Sequence, residues 1–584
     1  MNRNVESHFS TVPYVDKPRS IFDRSFGHKT SFNCGELVPF YLEQNVLPGD
    51  TFRVTTSKVV RMQTLLTPIM DNMYLDTYYF FVPWRLVWTH VREFFGENTT
   101  SAWVQTTPYK IPGISAPAST GFASGTIADH FGLPVGVTWS TTDLNCPSAL
   151  PFRAYALICN EFFRDENLTD PLNIPTGDSD QTGTNGTSYI NDVANGGMPF
   201  KVAKFHDYFT SCLPSPQKAA SPVSLNIVQG AIAPVYTGTT NYAQTVEPHY
   251  SFSSDSTKTN PFTSTNNLVA GWIKNSSNQP DWSPWIRANG KTGNVNLTSG
   301  TSGDTLGWSA ANNNLHSPIV DNYYADLTGA FGSVTVNELR LAFQLQRYYE
   351  RLARGGSRYI EFCKSFFGAV SSDARLQRPE YLGGNRVPIN INQVINNAQS
   401  ANDYLGDLGA MSQTADIHED FVKSFTEHGI IIGLMCVRYD HTYSQGINRA
   451  WMRRTLEQQY NPVFANLGES PVFKAEIYAN GLMNSDDVFG YQEAWADYRY
   501  MPDICSGEMR PAISNTLASW HLADNYNSAP TLSDGWIRED KTNVDRVLAV
   551  TSSVANQFWA DIHVKNIATR VMPMFSVPGL IDHM

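Results

Sequence analysis

Few stretches of this 584-residue chain place chemically able side chains at a meaningful spacing, and most of those fail on inspection. Asn289-Gly290-Lys291-Thr292 ends like a phosphate loop. The position five before Gly290 is Trp285, where the motif requires glycine, so the cradle of N–H groups is not assembled. His418-Glu419-Asp420 sets three metal-ligating types in a row, but sequence neighbours seldom converge on one ion, and a solvated acidic loop is expected there. Glu493 and Asp497 stand four apart, as a glycosidase acid pair on one helical turn could; ordinary surface charge has the same spacing. Neither a His-Glu-x-x-His helix nor a Gly-x-Ser-x-Gly elbow occurs. No catalytic residue, metal ligand or cofactor is therefore assigned.

The better pattern is cationic. Arg347, Arg351 and Arg354 lie at i, i+4 and i+7 with Arg340 seven before, so a helix would carry them as one stripe. Between 338 and 364 there are six basic and three acidic side chains. Trp451-Met452-Arg453-Arg454 is a second basic and aromatic spot of the kind that meets phosphates and bases. Arg340, Arg347, Arg351, Arg354, Trp451, Arg453 and Arg454 are thus the candidates for nucleic-acid contact. The competing reading is ion pairing, either across subunits or locally with Glu350 and Glu361, and it is the one we take first.

Strands must position most of this. Phe52 to Gln63 alternates strictly, Met73 to Val82 is aromatic and β-branched and is closed by Pro83, and Phe558 to Lys565 alternates again. Expected helices are fewer: Trp84 to Phe95 before Gly96, and Pro151 to Asn167 with Phe152, Tyr155, Cys159 and Phe162 on one face. A third starts at a capping box, Thr335-Val336-Asn337-Glu338, and stops at Gly355-Gly356. From 222 to 320 the composition changes: 46 of 99 residues are Ser, Thr, Asn or Gly and only eight are charged, which suggests a turn-rich, solvent-facing excursion. A smaller polar stretch at 176–197 reads the same way. Strands with helices in their connections predict a β-sandwich or jelly roll with large loops.

Composition bounds the function. Lys and Arg number 42 against 54 Asp and Glu, a net charge of −12, so bulk charge does not make this a polyanion-coating protein. Hydrophobic residues at 41% exclude global disorder. Seven cysteines, an odd number without a Cys-x-x-Cys, argue for buried thiols in a reducing compartment over a disulfide scaffold. No secretory signal is visible, and the longest apolar run, Ile430 to Val437, is too short for a membrane helix. Membrane insertion is not expected.

Several stretches resemble the major capsid protein of the microviruses, specifically the gokushovirus type of single-stranded DNA bacteriophage. They include Arg19-Ser20-Ile21-Phe22-Asp23-Arg24-Ser25, Leu47-Pro48-Gly49-Asp50-Thr51-Phe52, Phe80-Phe81-Val82-Pro83-Trp84-Arg85-Leu86-Val87-Trp88 and the run Asn160 to Leu168. The most distinctive are Ala353-Arg354-Gly355-Gly356-Ser357-Arg358-Tyr359-Ile360-Glu361 and Asp373 to Gly384. Ser424 to Gly429, Phe489-Gly490-Tyr491-Gln492-Glu493 and Val577 to His583 complete the series in family order.

The resemblance implies a mainly β chain: an eight-stranded viral jelly roll whose long inter-strand insertions contain several helices. Residues 1–30 would form an extended N-terminal arm, 31–221 with 321–584 the capsid domain, and 222–320 an outward spike at the three-fold axes. The implied function is self-assembly into a T=1 icosahedral shell around a circular single-stranded DNA genome, without enzymatic activity. Its implied partners are copies of itself, the packaged DNA, a small basic internal DNA-binding protein and a host-surface receptor. The protein would be found in the virion after assembly in the host cytoplasm. A carbohydrate-binding or glycosidase-like β-sandwich, or a surface-layer protein, is the alternative that composition alone leaves open.

Overall fold

Alternation along Thr51–Met62 buries Phe52, Val54, Val60 and Met62 and leaves Arg53 and Arg61 in solvent, the pattern of a strand with one face on a core. The computed structural model describes residues 18–98, 107–219, 336–397 and 405–576, residue 223, and the backbone of seven short strands between 235 and 325. Nine strands build its main sandwich: β1 (Ser20–Asp23), β2 (Phe26–Phe32), β3 (Val38–Val46), β4 (Thr51–Met62), β5 (Met73–Pro83), β6 (Glu380–Pro388), β7 (Thr414–Ser424), β8 (Gly429–Tyr439) and β9 (Phe558–Arg570). The chain is mainly β, and these strands pair antiparallel throughout.

One sheet runs β1–β9–β4–β7, with β2 also on β9, so β1 and β2 share one edge position. The other runs β6–β5–β8–β3. Phe32, Phe52, Val54, Phe421, Phe558 and Ile562 of the first sheet meet Phe40, Leu75, Tyr79, Phe81, Ile431 and Val437 of the second in one core. The second sheet is buried on its other face too. There Phe80, Val82, Ile430, Ile432, Leu434 and Cys436 pack on Trp88, Phe152 and Tyr155 of the 84–200 insertion. That explains why β8 reads as a near-continuous apolar run while β4 alternates. Gly433 interrupts the run because a Cβ there would come within 2.8 Å of Tyr41 and 2.9 Å of Tyr79.

Three expectations change in the insertions. Trp84 to Phe95 is two short helices, Trp84–Val87 and Val91–Phe94, because Trp88 is extended. Its indole donates to Asp178 at 2.7 Å and the Thr89 N–H to the Thr176 carbonyl at 3.0 Å; these contacts outcompete the next helical turn. The helix expected over Pro151 to Asn167 is α1 (Leu150–Ile158), which widens into a π turn at Cys159–Phe163 and stops. Asp165 then accepts from the N–H groups of Asn167 and Leu168, closing a turn instead of another helical one. The polar stretch 176–197 is solvent-facing only in part: 176–180 are exposed, whereas later positions turn inward. Gln181, Val193 and Ala194 are buried in it, and its carbonyls at Gly177 and Ser179 accept from the fully buried Arg153.

The long helix is α2 (Val336–Gly355); its expected cap at Thr335 lies outside the described residues. Gly356, at φ +91°, ends it in the left-handed region, and α3 (Tyr359–Phe367) follows. The chain divides into two units, Met1–Lys218 with Tyr348–Met584, and Ala219–Arg347. The second has its own strands: Val269–Lys274, Pro280–Ala288 and Lys291–Asn294 form one antiparallel sheet, and Trp308–Ala310 pairs with Asn313–Leu315. In the N-terminal stretch the described part, from residue 18, is extended and hydrogen-bonded to β9 through β1 and β2.

Candidate nucleic-acid interface

Helix α2 does carry the arginine stripe, and the four members differ. Arg340 and Arg347 are exposed. The Arg351 guanidinium donates to the Ser365 carbonyl of α3 and lies over the Phe366 ring, 5.2 Å from its centroid. Arg354 is ion-paired with Glu469 and reaches Glu493 at 3.7 Å. Glu361, one of the partners expected from sequence, instead pairs with Arg358 at 3.4 Å.

The second spot is divided the same way. Arg453 is paired with Asp497 and sits 4.1 Å over the Tyr498 ring, leaving 9% of its side chain exposed. A guanidinium so held is already neutralised and desolvated. Arg454 is exposed, and Trp451, at 84% exposure, stands at the rim of a cavity of about 460 Å³. Tyr208, Phe209, Tyr443 and Tyr500 wall this cavity, with the Tyr208 and Tyr500 rings stacked at 5.1 Å. Of the seven candidates, then, Arg340, Arg347, Trp451 and Arg454 face solvent with their chemistry unspent, while Arg351, Arg354 and Arg453 hold the fold.

The acid patterns dissolve on the same grounds. Glu493 pairs with Arg499 at 2.6 Å and Asp497 with Arg453, so the two carboxylates do not act on one bond. His418-Glu419-Asp420 is not a solvated loop but part of β7. Glu419 turns out to Arg53, whereas His418 turns in and pairs with Asp420 at 3.0 Å. Among the described residues no group of three His, Cys, Asp or Glu is placed to hold a metal ion.

Sequence reasoning missed the densest electrostatics. His441, 2% exposed, lies between Asp524 at 2.9 Å and Glu539 at 3.1 Å. Burial alone would lower its pKa; the two carboxylates outweigh that and raise it to about 9. Asp76 likewise accepts from Arg386 and Arg438, both at 2.6 Å, and both guanidinium groups stack on Phe205. The partners are separated by 83 to 362 positions, so no local spacing announces them.

The described residues form a β-sandwich in which the acids at Glu493 and Asp497 are drawn into separate ion pairs. Comparison with known proteins says which kind: the chain belongs to the capsid protein (F protein) family, whose profile matches residues 10–580. It is 38% identical over 561 residues to the capsid protein VP1 of Spiroplasma virus 4, covering 95% of this chain and 94% of that one. It is 37% identical over 610 residues to capsid protein VP1 of Chlamydia phage 1 (99% and 98%), and 36% over 585 residues to that of Bdellovibrio phage phiMH2K (98% of each). The gokushovirus-type resemblance read from the sequence holds over nearly the whole length. This is a structural capsid protein of the virion, not an enzyme.

Proposed function

We propose that this chain forms a T=1 icosahedral shell around a circular single-stranded DNA genome, with an eight-stranded jelly roll as its wall. The observation that carries the reading is strand order. Counting β1 and β2 as one position, the sheets run first–eighth–third–sixth and second–seventh–fourth–fifth along the chain, the interleaving of a jelly roll. The near full-length likeness to VP1 capsid proteins supports it from the other side. Closed shells need several distinct contacts around their axes, which gives a reason for insertions larger than the wall they join.

Within this reading residues 1–30 are an arm whose described end joins the wall as β1 and the start of β2, 31–221 and 321–584 are the rest of the capsid domain, and 222–320 is a spike at the three-fold axes that meets a host-surface receptor. Shells assemble in the host cytoplasm. At −12 the subunit does not neutralise the genome by bulk charge, so a small basic internal protein supplies most of the cations. Exposed Arg340, Arg347, Trp451 and Arg454 contribute a few contacts. No helix among the described residues is long and apolar enough to cross a membrane.

Purified particles treated with nuclease test shell and genome together: protected circular single-stranded DNA is expected, and complete digestion refutes the reading. Replacing 230–310 by a short Gly-Ser linker should leave shells intact and abolish adsorption to host cells. Loss of shells would make the segment structural.

A further inference from the structure

Two histidines from distant parts of the chain line one polar cavity of about 200 Å³, and none of the roles above uses it. His28 comes from β2, and His130 is the last residue of a short helix, Ile127–His130, in the 84–200 insertion. The hydroxyls of Thr30 and Ser124 and the amide of Asn556 also line it, with Lys29 and Asp129 as its charged groups.

Local sequence fixes both rings. Thr126 caps the short helix by accepting from the Asp129 N–H at 3.3 Å, and Asp129 in turn accepts from the Gly125 N–H at 2.8 Å. This turn presents His130 to β2. The ring is 7% exposed, and its Nδ1 shares a hydrogen bond of 3.1 Å with the Thr30 hydroxyl. His28 is half-buried and hydrogen-bonded to the backbone at Phe40 of β3. β2 is thus closed against the insertion through Thr30, and against Asn556 through Ser31, whose hydroxyl accepts from that amide at 2.9 Å.

Two bases share one acid here. Among the described residues Asp129 is the carboxylate that acts on both rings, and its oxygens already serve Gly125 and the Ser124 hydroxyl. Burial lowers the pKa of both histidines and takes His130 to about 4; Asp129 opposes this without overcoming it, and His28 adds to it. The other charges on the packed elements are turned elsewhere. Lys29 faces Asp561 of β9 at 3.6 Å with its ammonium in water, and Glu43 of β3 is ion-paired with Arg24.

We propose that His28 and His130 form an acid-sensitive latch between β2 and the insertion, closed while both imidazoles are neutral and opened by their protonation. Asp129 can meet the first proton; the second sets like charge against like with the one carboxylate already taken. Above pH 6.5 an ordinary histidine is neutral in open and closed chains alike, so closure has no proton cost. Below 6.5 the opened site takes up protons that the closed one does not, and closure weakens with falling pH down to about 4, where His130 titrates in place. His441, with its pKa raised to about 9, stays charged over that range and does not add to the effect. The latch belongs to the single subunit and does not depend on the shell geometry proposed above.

Hydrogen exchange of the purified full-length subunit at pH 8 and pH 5, read by mass spectrometry as protection factors over 26–32 and 124–131, tests it. From His130 alone the opening constant should rise about 30-fold between the two conditions. His130→Gln, which keeps a hydrogen-bonding side chain for Thr30, and His28→Gln should each reduce that rise, and the double variant should abolish it. His563→Gln, at an exposed histidine opposite Gly27 on β9, should leave it intact. Circular dichroism at pH 8, where the latch is closed, checks the fold of each variant. Should the buried His130 not tolerate replacement, His28→Gln decides alone, since a rise equal to that of the wild type overturns the latch. So would the absence of any rise in the wild type, or a rise that His563→Gln removes.

Discussion

The buried imidazole of His441 ties the end of β8 to two later segments, and its charge state sets how stability should change with pH. In the fold it is an imidazolium: Nδ1 donates to Asp524 at 2.9 Å, and Nε2 donates to both Glu539 oxygens at 3.1 and 3.2 Å. Asp524 also meets Lys204 at 3.6 Å, the Tyr526 hydroxyl at 2.5 Å and Asn543 at 2.6 Å. Burial would push the Asp524 carboxyl up, but His441 and Lys204 together hold it well below the usual carboxylate range.

Raising a histidine from 6.5 to about 9 corresponds to about 3 kcal/mol at 1.36 kcal/mol per pH unit. Below pH 6.5 the ring is charged in folded and unfolded chains alike, and the contribution is fully present. Between 6.5 and 9 the unfolded chain has released its proton while the folded one keeps it, so stability falls with rising pH. Above 9 the contribution is gone. His441→Gln removes the cation and leaves two buried carboxylates facing an amide, at a cost of about 3–5 kcal/mol near neutrality. Urea midpoints of the purified subunit should be measured from pH 6 to pH 10 for both proteins. The wild-type curve should fall more steeply than that of the variant between 7 and 9, and the two should converge above 9. Parallel curves with a constant offset would refute a charged His441.

Arg153 is fully buried and donates to Gln181 at 2.7 Å and to the Val87, Gly177 and Ser179 carbonyls at 3.2, 2.8 and 3.1 Å. Arg153→Met orphans those acceptors and should cost about 3 kcal/mol or more, read as a lower thermal midpoint with faster exchange of amides in 176–182. Gly356→Ala forces a side chain into the left-handed region and against Glu361, so a loss of about 2 kcal/mol is expected by urea unfolding. Single-stranded DNA binding by the subunit alone should be weak, with a slope of log affinity against log salt well short of six released counterions. In the same assay Arg347→Ala should flatten the slope slightly, whereas Arg354→Ala, which unpairs Glu469, should reduce folded protein and not the slope.

How much of this was legible in sequence depended on whether the cause was local. Strands β4 and β9 could be read because one pleated face meets a core and the other meets water, and period two records that directly, whereas β5, covered on both faces, was legible through its aromatic and β-branched residues and Pro83. β8 could be read only as apolar, since burial on both faces erases the alternation. Period fails in β7 for another reason. A register shift between Glu419 and Phe421 lets Asp420 and Phe421 both turn inward, so consecutive residues share a face. Helix ends at Trp88 and Arg164 were set by partners at Thr176, Asp178 and Asp165, which propensity does not weigh. The arginine stripe was right as geometry and silent on occupancy: only the fold shows Glu469 beneath Arg354. His441 was beyond reach, its acids being 83 and 98 positions away.

The 84–200 insertion is packed on the sandwich, and this constrains how the subunit can vary. The 84–200 segment supplies Trp88, Phe122, Phe152 and Tyr155 to the cluster that covers the second face of β5 and β8. Shortening it would expose Phe80, Ile430, Ile432 and Leu434 together, each worth about 1.5–3 kcal/mol when buried. A domain stable by only about 5–15 kcal/mol does not survive that, so this insertion is part of the wall. Ala219–Arg347 forms the second unit, and from residue 222 charged residues become scarce. Under the reading of 222–320 proposed above as an outward spike, substitutions that leave the shell intact but change what the particle meets outside are expected there rather than in 84–200.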